Sequence, residues 1–237
     1  MSAPAGLAIR SVSNSMRPVK LLVLTIAALL SLTLTAHAQV RVTIDHNTNA
    51  TATSAFKFKN VPSPVRDDLG AGSKLTLVDG DIDPNGATLS AVVDGVLPTD
   101  GDEPGANFFF NAGTAGGRFR MDLSSAIEIA QVNTYSWHPN TRGPQLYKLY
   151  ASDGADPKFN AAPKRGIDPA TCGWKLIATV STIPQQGEDG GQYGVSLVDA
   201  SGSLGKFRHL LFDCYVTETA DDWGNTFYSE IDVVAKK

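Results

Sequence analysis

Alternation decides what this chain can fold into. Along 209–216 it reads His-Leu-Leu-Phe-Asp-Cys-Tyr-Val. In an extended strand Leu210, Phe212, Cys214 and Val216 fall on one face, and His209, Asp213 and Tyr215 on the other. The stretch 145–151 repeats the pattern, with Tyr147, Leu149 and Ala151 on one side and Lys148 on the other. Residues 118–123, 127–137, 174–180 and 231–234 read as further strands. Turn chemistry separates them: Gly116-Gly117, Asn140 to Pro144, Asp153-Gly154, Gly190-Gly191 and Ser201 to Gly205. No segment keeps a 3.6-residue apolar period for three turns. Many short strands between such turns predict an all-β fold, a β-sandwich of the jelly-roll kind.

The first 38 residues stand outside that pattern. Arg10, Arg17 and Lys20 precede an apolar run from Leu21 to Leu34, and Ala36-His37-Ala38 closes the segment. This order predicts a secretory signal peptide over 1–38, with Met16 as a possible alternative start. An uncleaved anchor is the competing reading, although the run is shorter than the roughly 20 residues a membrane span needs. Residues 39–75 are expected to form an N-terminal arm packed on the sandwich, with Phe56-Lys57-Phe58 as one short strand, and 76–237 the sandwich itself. No later stretch is apolar enough to span a membrane.

The leader holds three basic and no acidic residues, so its removal takes the formal charge from −4 to −7. Without a basic cluster, that charge argues against a nucleic-acid partner. Cys172 and Cys214 are the only cysteines. Export into an oxidising compartment makes a disulfide between them an expectation, with two buried thiols as the alternative.

From about Asp79 onward the order of motifs resembles the discoidin or factor 5/8 type C domains and related carbohydrate-binding modules. Asp94-Gly95 resembles the family's Asp-Gly loop, and Arg118 to Leu123 its strand running into Asp-Leu-Gly. Residues 147–154 (YKLYASDG) are similar to the strand ending in Ser-x-Asp-Gly. Lys206 to Phe212 and Ser229 to Val233 resemble the last two strands, and Asn225 to Glu230 reads as the Asn-Thr-Phe-x-Ser-Glu of discoidin-like bacterial proteins. Ser124 stands where the family has Gly, the loop after Asp94 is longer, and Phe108-Phe109-Phe110 replaces a Trp. The resemblance implies a galactose-binding-like sandwich.

It also implies a structural calcium where the Asp-Gly loop meets the closing strand. That nominates Asp94 and Glu230, with Asp100 and Asp102 as helpers. A hard cation needs six to eight oxygens, which a loop this acidic can offer, although Asp and Gly are also ordinary turn residues. Asp81 to Gly86 opens like a calcium loop, but Val92 occupies the twelfth position where such a loop needs Glu, so it is no EF-hand. For a glycan, Trp137, His138 and Arg142 across a short loop, with Trp223 and Asn225, supply an aromatic face and hydroxyl-binding groups. Trp137 shares its parity with Ile127, Ile129 and Tyr135, so core burial competes with that role.

No G-x-S-x-G, H-E-x-x-H, S-x-x-K or phosphate loop occurs, and no catalytic residues are nominated. The expectation is a secreted, non-catalytic carbohydrate-binding or adhesion module. Its rivals are a polysaccharide hydrolase or lyase and a protein-binding component of the cell envelope.

Overall fold

The computed structural model describes Met1, residues 39–217 and residues 224–237. The expected signal peptide and Trp223 lie outside the described residues. Residues 39–217 and 224–237 belong to one compact unit, His37–Lys237.

Eight antiparallel strands carry the fold: β1 (Val40–Thr48), β2 (Lys74–Asp79), β3 (Gly116–His138), β4 (Leu146–Ser152), β5 (Lys175–Ser181), β6 (Gly191–Asp199), β7 (Gly205–Tyr215) and β8 (Tyr228–Ala235). The only helical turns among the described residues are short 3-10 segments. The architecture is an all-β sandwich, as the alternation predicts.

One bent strand joins its two layers. The first part of β3 pairs with β2 and β7; the second part pairs with β6 and β8. The bend falls at a break in register between Asp122 and Ile127. There Ser124 takes φ 68°, a left-handed conformation, while the Asp122 carboxylate accepts its backbone N–H. This is the position where glycine was expected, and serine occupies it under strain.

Between the layers, Phe119, Met121, Leu149, Leu210 and Phe212 from one meet Val132, Val195, Leu197, Ile231 and Val233 from the other. Leu210, Phe212 and Cys214 face inward together as expected. The opposite face of β7 is covered rather than bathed in solvent. Leu211 packs there with Val78, Tyr150 and Trp174, and His209 is buried against Phe159.

That face corrects the disulfide. Both cysteines are free. Cys214 points into the core between the layers, while Cys172 packs against the Trp174–Leu211 cluster on the other side of the sheet. Cys172 closes the 3-10 turn Pro169–Thr171 on the outer side of the sheet and Cys214 is on β7 facing the core, so the two thiols are not joined.

The segment read as an arm divides in two. Val40–Thr48 is a full strand, paired along its length with β6, and β2 begins at Lys74. Residues 49–73 hold no strand, so Phe56-Lys57-Phe58 joins no ladder. This stretch instead covers the outer face of the β1–β6–β3–β8 layer.

Candidate functional site: a cleft on the outer sheet face

A second break in register fixes which side chains reach that outer face. It falls between Ile129 and Gln131, opposite β8. Ile129 and Val132 both turn inward as a result. Tyr135 and Trp137 therefore point outward, losing the parity that would have grouped them with Ile129. Trp137 is buried all the same, at 6% exposure, but beneath a loop and not in the core. A Cβ on Gly101 would lie 3.1 Å from its indole nitrogen.

The outer face forms the floor of a cleft of about 370 Å³. Residues 54–66 make one wall and the loop 95–99 the other. Phe58 lies on the backbone of Gly194, where an added Cβ would meet its ring at 3.0–3.1 Å and push it back by a few tenths of an ångström. Phe56 meets Phe58 edge-on at 5.2 Å, and Phe58 is 6.1 Å from the Tyr135 ring. Together with Trp137 they give the cleft an aromatic lining; Gln192, Ser63 and Thr99 add amide and hydroxyl groups. Among the described residues no acidic side chain, histidine or cysteine lines it, whereas Lys57 and Arg66 do.

Both walls are fastened to one carboxyl cluster. Asp68, Glu230 and Asp232 each offer an oxygen within 4.8 Å of the others. Glu230 is fully buried. Its Oε2 accepts the Gly95 N–H at 2.7 Å, which holds the loop wall. Asp68 follows the other wall and accepts the Val233 N–H at 2.8 Å, while Asp232 accepts from the Tyr135 hydroxyl at 3.2 Å. Burial pushes the Glu230 carboxyl up to about 8, against the two N–H bonds that favour its charge; Asp232 and Asp94 add repulsion. Burial likewise raises Asp232 to about 6 and raises Asp68. The second oxygen of Asp68 is buried with no partner. Three crowded carboxylates, one with an orphaned oxygen, are the donors a hard divalent cation takes.

This set shares only Glu230 with the expected one. Asp94 acts on Glu230 through its charge, but its own Oδ1 accepts the Val96 N–H. Asp100 accepts the Asp102 N–H, and the exposed Asp102 carboxylate is 3.9 Å from His138 Nε2. Asp68 and Asp232 were missed. Asp232 had a legible signal, because it is two residues from Glu230 and so shares its face. Asp68 gave none. In the Asp81 to Gly86 turn, Asp83 bonds Asn85 instead.

The expected glycan residues are split by the same alternation. Trp137 faces the cleft, whereas the neighbouring His138 turns away, meets Phe227 edge-on at 4.6 Å and is 1% exposed. Its Nδ1 accepts the Asn140 N–H, so Nε2 carries the proton, buried and without a hydrogen-bond partner. Burial, and then the Arg142 charge, lower its pKa to about 4. Arg142 lies over the Phe227 ring at 4.8 Å. Asn225 is buried and donates to the carbonyls of Asn111 and Thr114, tying two loops together.

No family model matches the sequence, and the comparison with curated proteins finds no match. Among solved structures, the chain is similar to a GH29 fucosidase from Ruminococcus gnavus in complex with fucose, at 16% identity and a TM-score of 0.44. The match covers 73% of this chain and 28% of the fucosidase. It is also similar to a CBM32 module from Clostridium perfringens, at 9% identity and a TM-score of 0.43, covering 71% of this chain and 98% of the module. The family 32 module of C. perfringens NanJ, solved with galactose, matches at 12% identity and a TM-score of 0.42, covering 67% and 92%. The chain spans less than a third of the fucosidase, and nearly the full length of the modules.

Proposed function

We propose that the protein is an exported, non-catalytic carbohydrate-binding module that seats a saccharide in the outer-face cleft. The aromatic lining carries this reading. Rings of Phe56 and Phe58, with the edge of Trp137 beneath them, beside Gln192, Ser63 and Thr99 offer both apolar surface for sugar C–H faces and partners for hydroxyls. Among the described residues the lining holds no pair of carboxylates, the set a glycoside hydrolase of the usual kind would need there. We further assign a structural calcium to Asp68, Glu230 and Asp232, where it would neutralise crowded charge beneath both walls.

Affinity is expected to be weak, since a short glycan buries little area and each hydroxyl exchanges water for protein. Titration calorimetry of the full chain against a panel of oligosaccharides tests the reading. Phe56→Ala should weaken any binding about tenfold, by removing one stacking ring from the wall. Failure to bind any saccharide, or binding indifferent to Phe56, would overturn it.

A further inference from the structure

We propose that the cleft selects acidic saccharides, pyranoses bearing a carboxylate, through Lys57 and Arg66. The proposal rests on the carbohydrate reading and names its ligand class. The chain as a whole carries 24 acidic against 20 basic residues. Among the described residues the cleft inverts that balance, with two cations and no anion along its lining.

Neither cation is spent on a partner among the described residues. The ion pairs among the described residues use Arg118, Arg165, Arg208 and Lys236 on the basic side, along with two histidines, but never Lys57 or Arg66. Both side chains are exposed. Their positions are built nonetheless. Lys57 sits between two aromatic anchors, Phe56 and Phe58, and Phe58 is seated on Gly194. Arg66 packs its stem against Gly95, where a Cβ would come within 2.3 Å of its Cγ. Gly95 has φ 70° and no side chain, so the arginine crosses from one wall onto the other. A sugar with its C–H face on the aromatic rings would present a ring carboxylate to these two donors. Guanidinium is the side chain best suited to bind a carboxylate through two parallel hydrogen bonds.

The test is calorimetry of the full chain with oligogalacturonate and oligomannuronate tetramers, each paired with its carboxyl-reduced neutral counterpart. The acidic form should bind at least about tenfold tighter, and raising salt should narrow the gap by screening the exposed pair. Arg66→Met and Lys57→Met keep the aliphatic stems. Each should cost about fivefold in affinity for the acidic form, the scale of one exposed ion pair, and leave the neutral form unchanged. Equal affinity for both forms, lost in Phe56→Ala, would overturn charge selection while leaving the carbohydrate reading intact. Acidic binding that ignores Phe56 would place the anion elsewhere and overturn the proposal. If neither form binds, the charge selection and the carbohydrate reading both fall.

Discussion

Glu230 gives the fold a stability that declines as pH rises, and the size of the decline follows from its burial. Its carboxyl has an ordinary value of 4.5 and a folded value of about 8. Between those values the native state keeps a proton that the unfolded chain has released. Stability is therefore full below about pH 4.5, falls through the window and flattens above about pH 8. Asp232, raised to about 6, acts in the same direction but is largely titrated by pH 6.5. The interval from pH 6.5 to 8 belongs mainly to Glu230. With 1.36 kcal/mol per pH unit, tapering toward the folded value, the loss there is about 1.5 kcal/mol. For a domain near 200 residues that is about 3–6 °C in melting temperature.

The assay is thermal melting in chelator from pH 5 to 8.5, for the wild type and Glu230→Gln. Glutamine keeps the shape and the acceptor for the Gly95 N–H but has no proton to lose. The wild type should soften between pH 6.5 and 8, and the variant should lose that slope. Calcium in place of chelator should flatten the wild-type curve, because a bound cation favours the carboxylates ionised. A slope that persists unchanged in Glu230→Gln refutes the assignment of the pH dependence to this carboxyl.

Three further outcomes follow from individual contacts. Ser124→Gly should raise stability by about 0.5–1 kcal/mol, the relief of a left-handed serine less the extra freedom of glycine when unfolded, and a lower melting temperature would contradict it. Arg118 makes a two-pronged pair with the buried Asp213 carboxylate, at 2.9 and 3.0 Å, and donates to the carbonyls of Pro163, Lys164 and Ile167. Arg118→Met removes this donor from three carbonyls and leaves Asp213 only the Tyr215 hydroxyl and the more distant Arg165, and should cost about 3 kcal/mol in urea unfolding; a loss under about 1 kcal/mol would show the pair is not desolvated. A thiol reagent should label Cys172 in the native protein and both cysteines after denaturation, since burial pushes the Cys214 thiol up to about 12. A melting temperature that falls on adding reductant would mean a bridge exists after all.

The strands were legible where alternation was strong and uninterrupted. Leu210, Phe212 and Cys214 needed nothing more than their spacing. β6 was missed although Tyr193, Val195 and Leu197 alternate, because Gly190-Gly191 at its start reads as a break and Gly194 interrupts the run. Gly194 is there for Phe58, a residue 136 positions earlier, and no local signal announces such a contact. Trp137 shows the limit most directly. Its parity with Ile129 was read correctly from spacing, yet the register break between Ile129 and Gln131 reverses the face. A bulge leaves no mark in a period-two pattern, so alternation assigns faces only as far as the next one. The acidic loop was also read too locally. Asp100 and Asp102 are near Asp94 in sequence, whereas the fold brings Asp68 from a distant segment to Glu230.

That long-range convergence ties the carboxyl cluster to the cleft. Glu230 holds Gly95 at the base of one wall, and Asp68 lies just past Arg66 at the end of the other. Neither carboxyl lines the cleft, so a cation there acts on saccharide only by fixing where the walls stand. Two ligands that favour one wall arrangement must help each other by the same factor. Chelation should therefore weaken saccharide binding about fivefold, the low end of such couplings, and saturating saccharide should tighten calcium equally. Calorimetry run in both orders measures the two factors. In Glu230→Gln the coupling should fall toward unity while Phe56→Ala still impairs binding, because the seat remains and only its fastening has changed. Saccharide affinity indifferent to calcium, in a protein whose melting temperature calcium raises, would mean the walls stand without the cation, and the cluster would then bear on stability alone.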